Sequence, residues 1–193
     1  SRDGEIDTSV EELFHVYSQS LQAVYPKDFG EPRRGDNWTS TISSAMDKAR
    51  GLGREVRPEP CVDGEEHCNN GRKWIYPEGA WYTYGASGCG WGCQLDEYTM
   101  HVWASWIGYT ENMNRGRGQS AEGGKPGRAC KGLYGQWRPC GKEDLEAMDA
   151  LAFDLFENRG YKLPKTIPYG DYGGNNVEFH GYEVEVRKEA GGE

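Results

Sequence analysis

The sequence predicts an α+β fold that is predominantly helical, with long disulfide-linked loops and a small C-terminal β-hairpin or strand pair. Three observations lead to this prediction. Four segments carry apolar residues at helical spacing, six cysteines lie in or beside the glycine-rich stretches between them, and the tail alternates apolar and polar residues as strands do. The chain has 193 residues, a length typical of one domain. Residues 1–193 are therefore predicted to form a single domain.

The predicted helices follow this periodicity and end at ordinary stop signals. They cover residues 9–25, 39–51, 95–110 and 142–159. Pro26 is expected to end the first helix, Gly51 to lie past the end of the second, and Gly160 past the end of the fourth. The third helix is rich in aromatic residues and apolar over a wide surface, so it is predicted to be the central helix of the fold.

The segments between the helices are predicted to be loops. Residues 53–94 hold four cysteines and are expected to form cross-linked loops with one short strand over 81–84. Residues 113–141 are rich in glycine and arginine and are expected to form an exposed loop. The tail over 177–187 alternates in two phases, and a turn or bulge fits where the phase changes at His180.

The cysteines indicate an oxidising compartment. They are Cys61, Cys68, Cys89, Cys93, Cys130 and Cys140. An even number favours disulfides, and pairing between sequence neighbours is expected because loop-closure cost grows with separation. A thiolate zinc site is the alternative, but only Cys89 and Cys93 approach the spacing of roughly two to four residues that such sites use. Disulfides are typical of extracellular proteins, so the chain is predicted to be secreted, with Asn37 of Asn37-Trp38-Thr39 as a glycosylation acceptor.

Composition and charge exclude several classes of function. The 31 acidic residues outnumber the 22 basic ones and give a net charge of -9, which repels nucleic-acid phosphates. No apolar run approaches the roughly 18 residues that a membrane span needs. Neither a phosphate-binding loop nor a dinucleotide-binding motif occurs. A metal ion or a cationic substrate is more compatible with this charge.

Two helices carry the same candidate metal-binding pair. Glu11 and His15 stand four residues apart in the first helix, and Glu97 and His101 repeat that spacing in the third. Residues four apart lie on one face of a helix, so two packed helices could bring two carboxylates and two imidazoles to one divalent metal. Glu12 follows the first ligand, as the catalytic glutamate does in His-Glu-x-x-His zinc hydrolases.

Structural roles are alternatives for each of these residues. Ser9 with Glu12, and Thr8 with Glu11, match a helix capping box, and acidic residues in a first turn also favour the helix dipole. His101 could lie exposed on a polar edge, or buried and hydrogen-bonded to a tyrosine or to the backbone. Of the remaining histidines, His67 is predicted to be solvated and His180 to lie in a turn.

Several motifs follow one another along the chain. They are Glu11-Glu12-Leu13-Phe14-His15, Tyr25-Pro26, Phe29-Gly30, Ala45-Met46-Asp47-Lys48-Ala49-Arg50-Gly51, Tyr76-Pro77-Glu78-Gly79-Ala80-Trp81-Tyr82-Thr83-Tyr84, Cys89, Cys93-Gln94, Glu97-Tyr98, Leu163-Pro164 and Pro168-Tyr169-Gly170-Asp171-Tyr172. In this order they resemble a family of secreted zincin-like, metallopeptidase-related proteins of bacteria, algae and marine invertebrates. The resemblance covers about residues 9–172 and leaves a C-terminal strand extension, 173–193, outside it.

The resemblance implies a metal site at Glu11, His15 and Glu97, with Glu12 as the general base. The family pattern often has an aromatic residue at position 101, so His101 is a departure from it. Zincins also carry a sheet ahead of the metal-binding helix, whereas the first helix predicted here begins at residue 9. Either the sheet was removed with a propeptide, or later strands replace it, or activity has been lost.

Together these observations predict a secreted metal-binding protein. The predicted function is a zinc-dependent, peptidase-like hydrolase that acts on peptides or proteins, with water or His101 as the remaining zinc ligand and Tyr84 or Tyr98 supporting the oxyanion. One alternative is a non-catalytic binding or toxin-like module that uses aromatic loops around Trp74, Trp81 and Trp91, with a structural metal or none. A scaffold or storage protein without metal is the other.

Overall fold

A computed structural model describes residues 8–32, 36–54, 56, 58–60, 74–84, 89–110 and 136–165. Its helices are α1 (Thr8–Val24), α2 (Pro26–Phe29), α3 (Thr41–Arg50), α4 (Trp91–Trp106), α5 (Lys142–Met148) and α6 (Ala150–Glu157). Two short strands, β1 (Glu59–Pro60) and β2 (Trp74–Ile75), pair antiparallel with Glu59 opposite Ile75. The described part is thus mostly helical, as predicted, and the predicted C-terminal hairpin lies outside it.

Helix α4 forms the centre of the core. Every residue from Tyr98 to Trp106 is buried, and the helix packs against α1, α3, α5 and α6. A helix that is buried on all sides must have neighbours on all sides, which agrees with the prediction of a central helix. Its Trp103 packs edge-on against Phe156 of α6 and lies 5.6 Å, between ring centroids, from Phe14 of α1.

The helix boundaries differ from the predicted ones at three places. Pro26 does end α1, but it also begins α2, because proline fits the first helical position, where no backbone donor is needed. The predicted helix 95–110 begins four residues earlier, at Trp91 after the N-cap Gly90, and also ends four residues earlier, at Trp106. The predicted helix 142–159 is two helices, since Asp149 has φ -132° and ψ 60° and caps the second one through Ala152 N.

The end of the second helix is as the sequence predicts. Ser40 caps α3 and forms a reciprocal capping box with Ser43. Gly51 follows the last residue with φ 64°, a left-handed conformation that glycine adopts without strain. A side chain there would also crowd Pro77, whose Cβ lies 3.2 Å from the position of an added Cβ.

The predicted strand over 81–84 is a single bridge between Tyr82 and Trp137. Thr83 N donates to Gln136 O at 2.8 Å and Arg138 N donates to Trp81 O at 3.1 Å. Trp137 is fully buried, so the end of the segment predicted as an exposed loop is part of the core. The rest of that loop, through residue 135, lies outside the described residues.

One predicted disulfide is present, between Cys89 and Cys93. It spans the start of α4 and closes a loop of neighbouring residues, as expected. Cys140 is also disulfide-bonded, whereas Cys61, Cys68 and Cys130 lie outside the described residues. Asn37 is exposed, and its glycosylation stays a prediction. Among the described residues, none of the helices has both the length and the apolar character that crossing a bilayer requires.

Candidate functional site

The candidate site lies where α1 packs against α4. Asp96 of α4 joins the two helices: its Oδ1 accepts hydrogen bonds from Gln22 Nε2 at 2.6 Å and from Ser18 Oγ at 3.3 Å. Ser18 and Gln22 share a face of α1 with His15, which stands three residues before Ser18. The same contact therefore turns His15 toward α4.

This packing brings His15 and Glu97 together. His15 Nε2 lies 3.7 Å from Glu97 Oε1, and the side chains are 18% and 14% exposed. The distance exceeds that of a hydrogen bond, so the two groups are neighbours without being directly bonded. Tyr84 donates from its hydroxyl to the same Glu97 oxygen at 3.1 Å. Tyr76 in turn donates to the backbone oxygen of Tyr84, which fixes the loop that carries this tyrosine.

His101 is the least ordinary side chain of the site. It is 3% exposed, and neither Nδ1 nor Nε2 has a hydrogen-bond partner. Its ring stacks on Trp137 with centroids 5.6 Å apart and meets the edge of Tyr82 at 5.9 Å. Burial, followed by the nearby charge of His15, lowers the pKa of His101 to about 3. The imidazole is therefore neutral at physiological pH, the form in which histidine binds metals.

Neither alternative for His101 describes what is observed. The ring is not on an exposed edge, and it is buried without a hydrogen bond to a tyrosine or to the backbone. Buried polar side-chain atoms nearly always have a partner, and leaving one without a partner costs roughly 1–3 kcal/mol. Glu97 and His101 are four residues apart on α4, so they lie on the same face, toward His15.

The remaining predicted site residues are Glu11, Glu12, Tyr84 and Tyr98. Glu11 lies in α1, but its side chain is outside what the structure describes. Glu12 is exposed, and the capping boxes proposed for Glu11 and Glu12 involve side chains that are not described. In the described part of the chain, no three histidine, cysteine, aspartate or glutamate side chains converge closely enough to hold a metal ion. Tyr98 donates its hydroxyl hydrogen bond to Asp149, whereas Tyr84 donates to Glu97.

A buried aspartate near the site was not found by sequence reasoning. Asp149 is 1% exposed and accepts from Trp81 Nε1 at 2.8 Å, from the Tyr98 hydroxyl and from Ala152 N at 3.3 Å. Burial raises the pKa of Asp149, and these three hydrogen bonds work against that rise. A lone aspartate in an amphipathic helical pattern gives no sign of such burial, although an aspartate is a common N-cap.

Two of the three tryptophans predicted for a recognition surface form hydrogen bonds within the fold. Trp81 is half-buried and bonded to Asp149, and Trp91 donates from Nε1 to Asp47 Oδ1 at 2.8 Å. The side chain of Trp74 is outside the described residues. Trp91 is the first residue of α4 rather than part of a loop, so the predicted aromatic loop around it is wrong.

Comparisons of the chain with protein-family models, with curated proteins and with solved structures give no match. The resemblance to zincin-like proteins therefore stays a prediction from the sequence.

Proposed function

We propose that this chain is a secreted metal-binding protein that holds a divalent ion, zinc, between α1 and α4, with His15, Glu97 and His101 as ligands and Glu11 completing the set. We further propose that it acts as a peptidase-like hydrolase on peptides or proteins. The observation that carries the proposal is the buried His101, whose two ring nitrogens have no hydrogen-bond partner. A metal ion would use one of these nitrogens, at a position that is otherwise costly.

The donor set suits zinc. Zinc is bound by imidazole nitrogens and by carboxylate oxygens, and both kinds occur here on two helices that pack against each other. His15 and Glu97 already lie 3.7 Å apart, and His101 stands four residues after Glu97, on the same face of α4. Gathering the three side chains into one coordination sphere requires changes of rotamer, because they do not converge as they stand.

Tyr84 supplies the support that a carboxylate ligand needs. Its hydroxyl donates to Glu97 Oε1 at 3.1 Å, which orients the carboxylate. Hydrogen bonds of this kind orient metal ligands, and their loss typically lowers metal affinity about 10- to 100-fold. Tyr84 is itself held by Tyr76, so the carboxylate is fixed through two tyrosines.

In the proposed hydrolysis, a bound zinc would supply Lewis acidity toward the scissile carbonyl and toward water. Glu12 would accept the proton of the attacking water, and its exposed position on α1 leaves it open to solvent. General bases contribute typically 10²- to 10⁴-fold to a rate. Glu12 is therefore the residue whose replacement should stop turnover without removing the ion.

A second candidate function is a non-catalytic secreted module with a structural metal. The burial of His101, 3% exposed between Tyr82 and Trp137, favours it, because catalytic zinc sites keep one position open to water whereas structural sites are closed. Both candidates share the same ion and differ only in turnover.

Activity on a pool of fluorogenic peptides separates the two candidates. We expect hydrolysis by the zinc-loaded protein, loss of hydrolysis with EDTA, and loss in Glu12→Gln with the bound zinc retained. Glu146→Gln, which changes an exposed glutamate of α5, is the matched control and should remain active. Bound zinc without any hydrolysis would favour the structural module, and Glu12→Gln that remains fully active would contradict the role of Glu12.

A further inference from the structure

A cavity of 460 Å³ opens between the end of α3 and the start of α4. Its size is within the roughly 300–1,000 Å³ that small-molecule sites usually have. The polar side chains on its wall include Arg50, Arg54, Gln94 and Glu31, and Trp91 contributes an aromatic ring. None of these residues belongs to the proposed metal site, whose ligands on α4 are Glu97 and His101.

Arg50 brings a buried guanidinium group with unsatisfied hydrogen-bond donors to the wall of the cavity. It is 1% exposed, and only part of its guanidinium is satisfied. Its Nη2 donates to Val56 O at 2.9 Å, and Nη1 lies 3.6 Å from Asp47 Oδ1. Its Nε and Nη1 have no hydrogen-bond partner. Asp47 is already an ionic partner of this charge, and Arg50 also lies close enough to Tyr76 to oppose the rise that burial causes in the pKa of that tyrosine. The donors that remain without a hydrogen bond are nevertheless costly to bury.

The first turn of α4 supplies a second group of donors to the same cavity. Helix α4 has 16 residues, and its N-cap, Gly90, has no side chain to satisfy the free backbone amides. Gly90 and Gly92 both line the cavity. The N-terminus of a helix attracts anions through these amides and through the helix dipole.

A carboxylate of the protein itself already lies at this turn. A Cβ placed on Gly92 would be 1.9 Å from Glu31 Oε1, so the absence of a side chain at Gly92 leaves the room that the Glu31 carboxylate takes up. Glu31 is exposed and can swing outward at little cost. The space beside Gly92 therefore fits a carboxylate-sized group, and the carboxylate of a ligand can replace that of Glu31.

We propose that this cavity binds the oxyanion group, a carboxylate or a phosphate, of a small ligand. Arg50 and the first turn of α4 hold the oxyanion, which takes the place of the Glu31 carboxylate. Trp91 provides apolar surface for the rest of the ligand. Gln94 is 6% exposed and its Oε1 has no hydrogen-bond partner, so it accepts from an N–H or O–H group next to the oxyanion.

Ligand-observed NMR of the full chain, stripped of metal with EDTA and then dialysed free of the chelator, tests this proposal independently of the metal site. The probes are N-acetylglycine, its neutral amide and inorganic phosphate. We expect N-acetylglycine to bind at least tenfold more tightly than the amide, because a hydrogen bond to a charged group contributes about 1.5–3 kcal/mol, equal to a factor of about 10–100. Phosphate binding identifies the phosphate form of the ligand, and binding of N-acetylglycine alone identifies the carboxylate form.

Three variants locate the binding. Arg50→Met should weaken anion binding at least tenfold, and Glu31→Gln should strengthen it several-fold by removing the competing carboxylate. Arg159→Gln, which changes a half-exposed arginine outside the cavity, should leave it unchanged. Because Arg50→Met could prevent folding, Glu31→Gln is the decisive variant. The proposal fails if neither anion binds up to about 10 mM, if the neutral amide binds equally well, or if Glu31→Gln does not change the affinity.

Discussion

Replacing His101 by phenylalanine tests the reason for proposing a metal site. The imidazole lies between Trp137 and Tyr82 with no hydrogen-bond partner on either nitrogen. Phenylalanine keeps an aromatic ring there and removes both polar atoms. If the imidazole is present only to bind a metal, the metal-free protein should become more stable on substitution.

The magnitude follows from the two unsatisfied atoms. Each costs roughly 1–3 kcal/mol, whereas the slightly larger phenylalanine ring costs roughly 1–3 kcal/mol in crowding. We therefore expect the free energy of unfolding of the metal-free His101→Phe variant to rise by about 2 kcal/mol. For a chain of this length that raises Tm by roughly 4–8 °C.

Thermal unfolding with and without zinc measures both the stability of the metal-free proteins and the stabilisation that zinc adds. Zinc at a hundred times its dissociation constant should stabilise the wild-type protein by about 2.7 kcal/mol and should leave His101→Phe unchanged. The order of stability then reverses between EDTA and zinc. His101→Leu, which avoids the longer ring, should show the same loss of the zinc response.

Two results would show that His101 is not a metal ligand of the kind proposed. One is a His101→Phe variant that is clearly less stable than the wild type in EDTA, since this would mean that the imidazole is satisfied in solution. The other is an equal gain of stability from zinc in both proteins, since this would place the ion elsewhere.

Three further predictions concern the surroundings of the site. Tyr84→Phe should lower zinc affinity about 10- to 100-fold by removing the donor to the carboxylate ligand, whereas Tyr82→Phe, the matched control, should lower stability and leave zinc affinity unchanged in dialysis measurements. Asp149→Asn should destabilise the fold by about 1–3 kcal/mol. Because burial raises the pKa of Asp149, the folded wild type binds this proton more tightly than the unfolded chain does. The difference in unfolding free energy between the wild type and Asp149→Asn should therefore shrink as the pH rises above about 4 in urea titrations. A difference that does not change with pH would contradict the raised pKa. The double variant Cys89→Ser/Cys93→Ser should lose about 2 kcal/mol, the loop-closure value for so short a loop, and an unchanged urea midpoint would show that the disulfide does not stabilise the fold.

Much of the fold follows from the sequence because helices leave a periodic signal. The apolar spacing located α1, α3 and α4 to within a few residues, and the shared four-residue spacing placed His15 and Glu97 on facing surfaces, where they lie 3.7 Å apart. Boundaries failed where single residues decide them. Asp149 divides one periodic stretch into two helices, and the glycines before Gln94 concealed the first turn of α4.

Other features leave no local signal. The burial of Arg50 depends on the chain that folds over it, and a basic residue in the last turn of a helix is ordinarily an exposed one. Likewise, Trp137 lies in a glycine-rich stretch, and its place beside His101 is set by the bridge to Tyr82, which joins residues far apart in the sequence. Such long-range contacts are fixed by the whole core rather than by any short pattern.

The metal content of the purified protein tests most directly whether the chain binds one zinc ion between α1 and α4. The untagged protein is equilibrated with a small excess of zinc, dialysed, and analysed for bound zinc per chain, together with His15→Ala and His101→Phe. We expect one zinc ion per wild-type chain and none in either variant. A wild-type protein that retains no zinc, or variants that retain as much as the wild type, would contradict it.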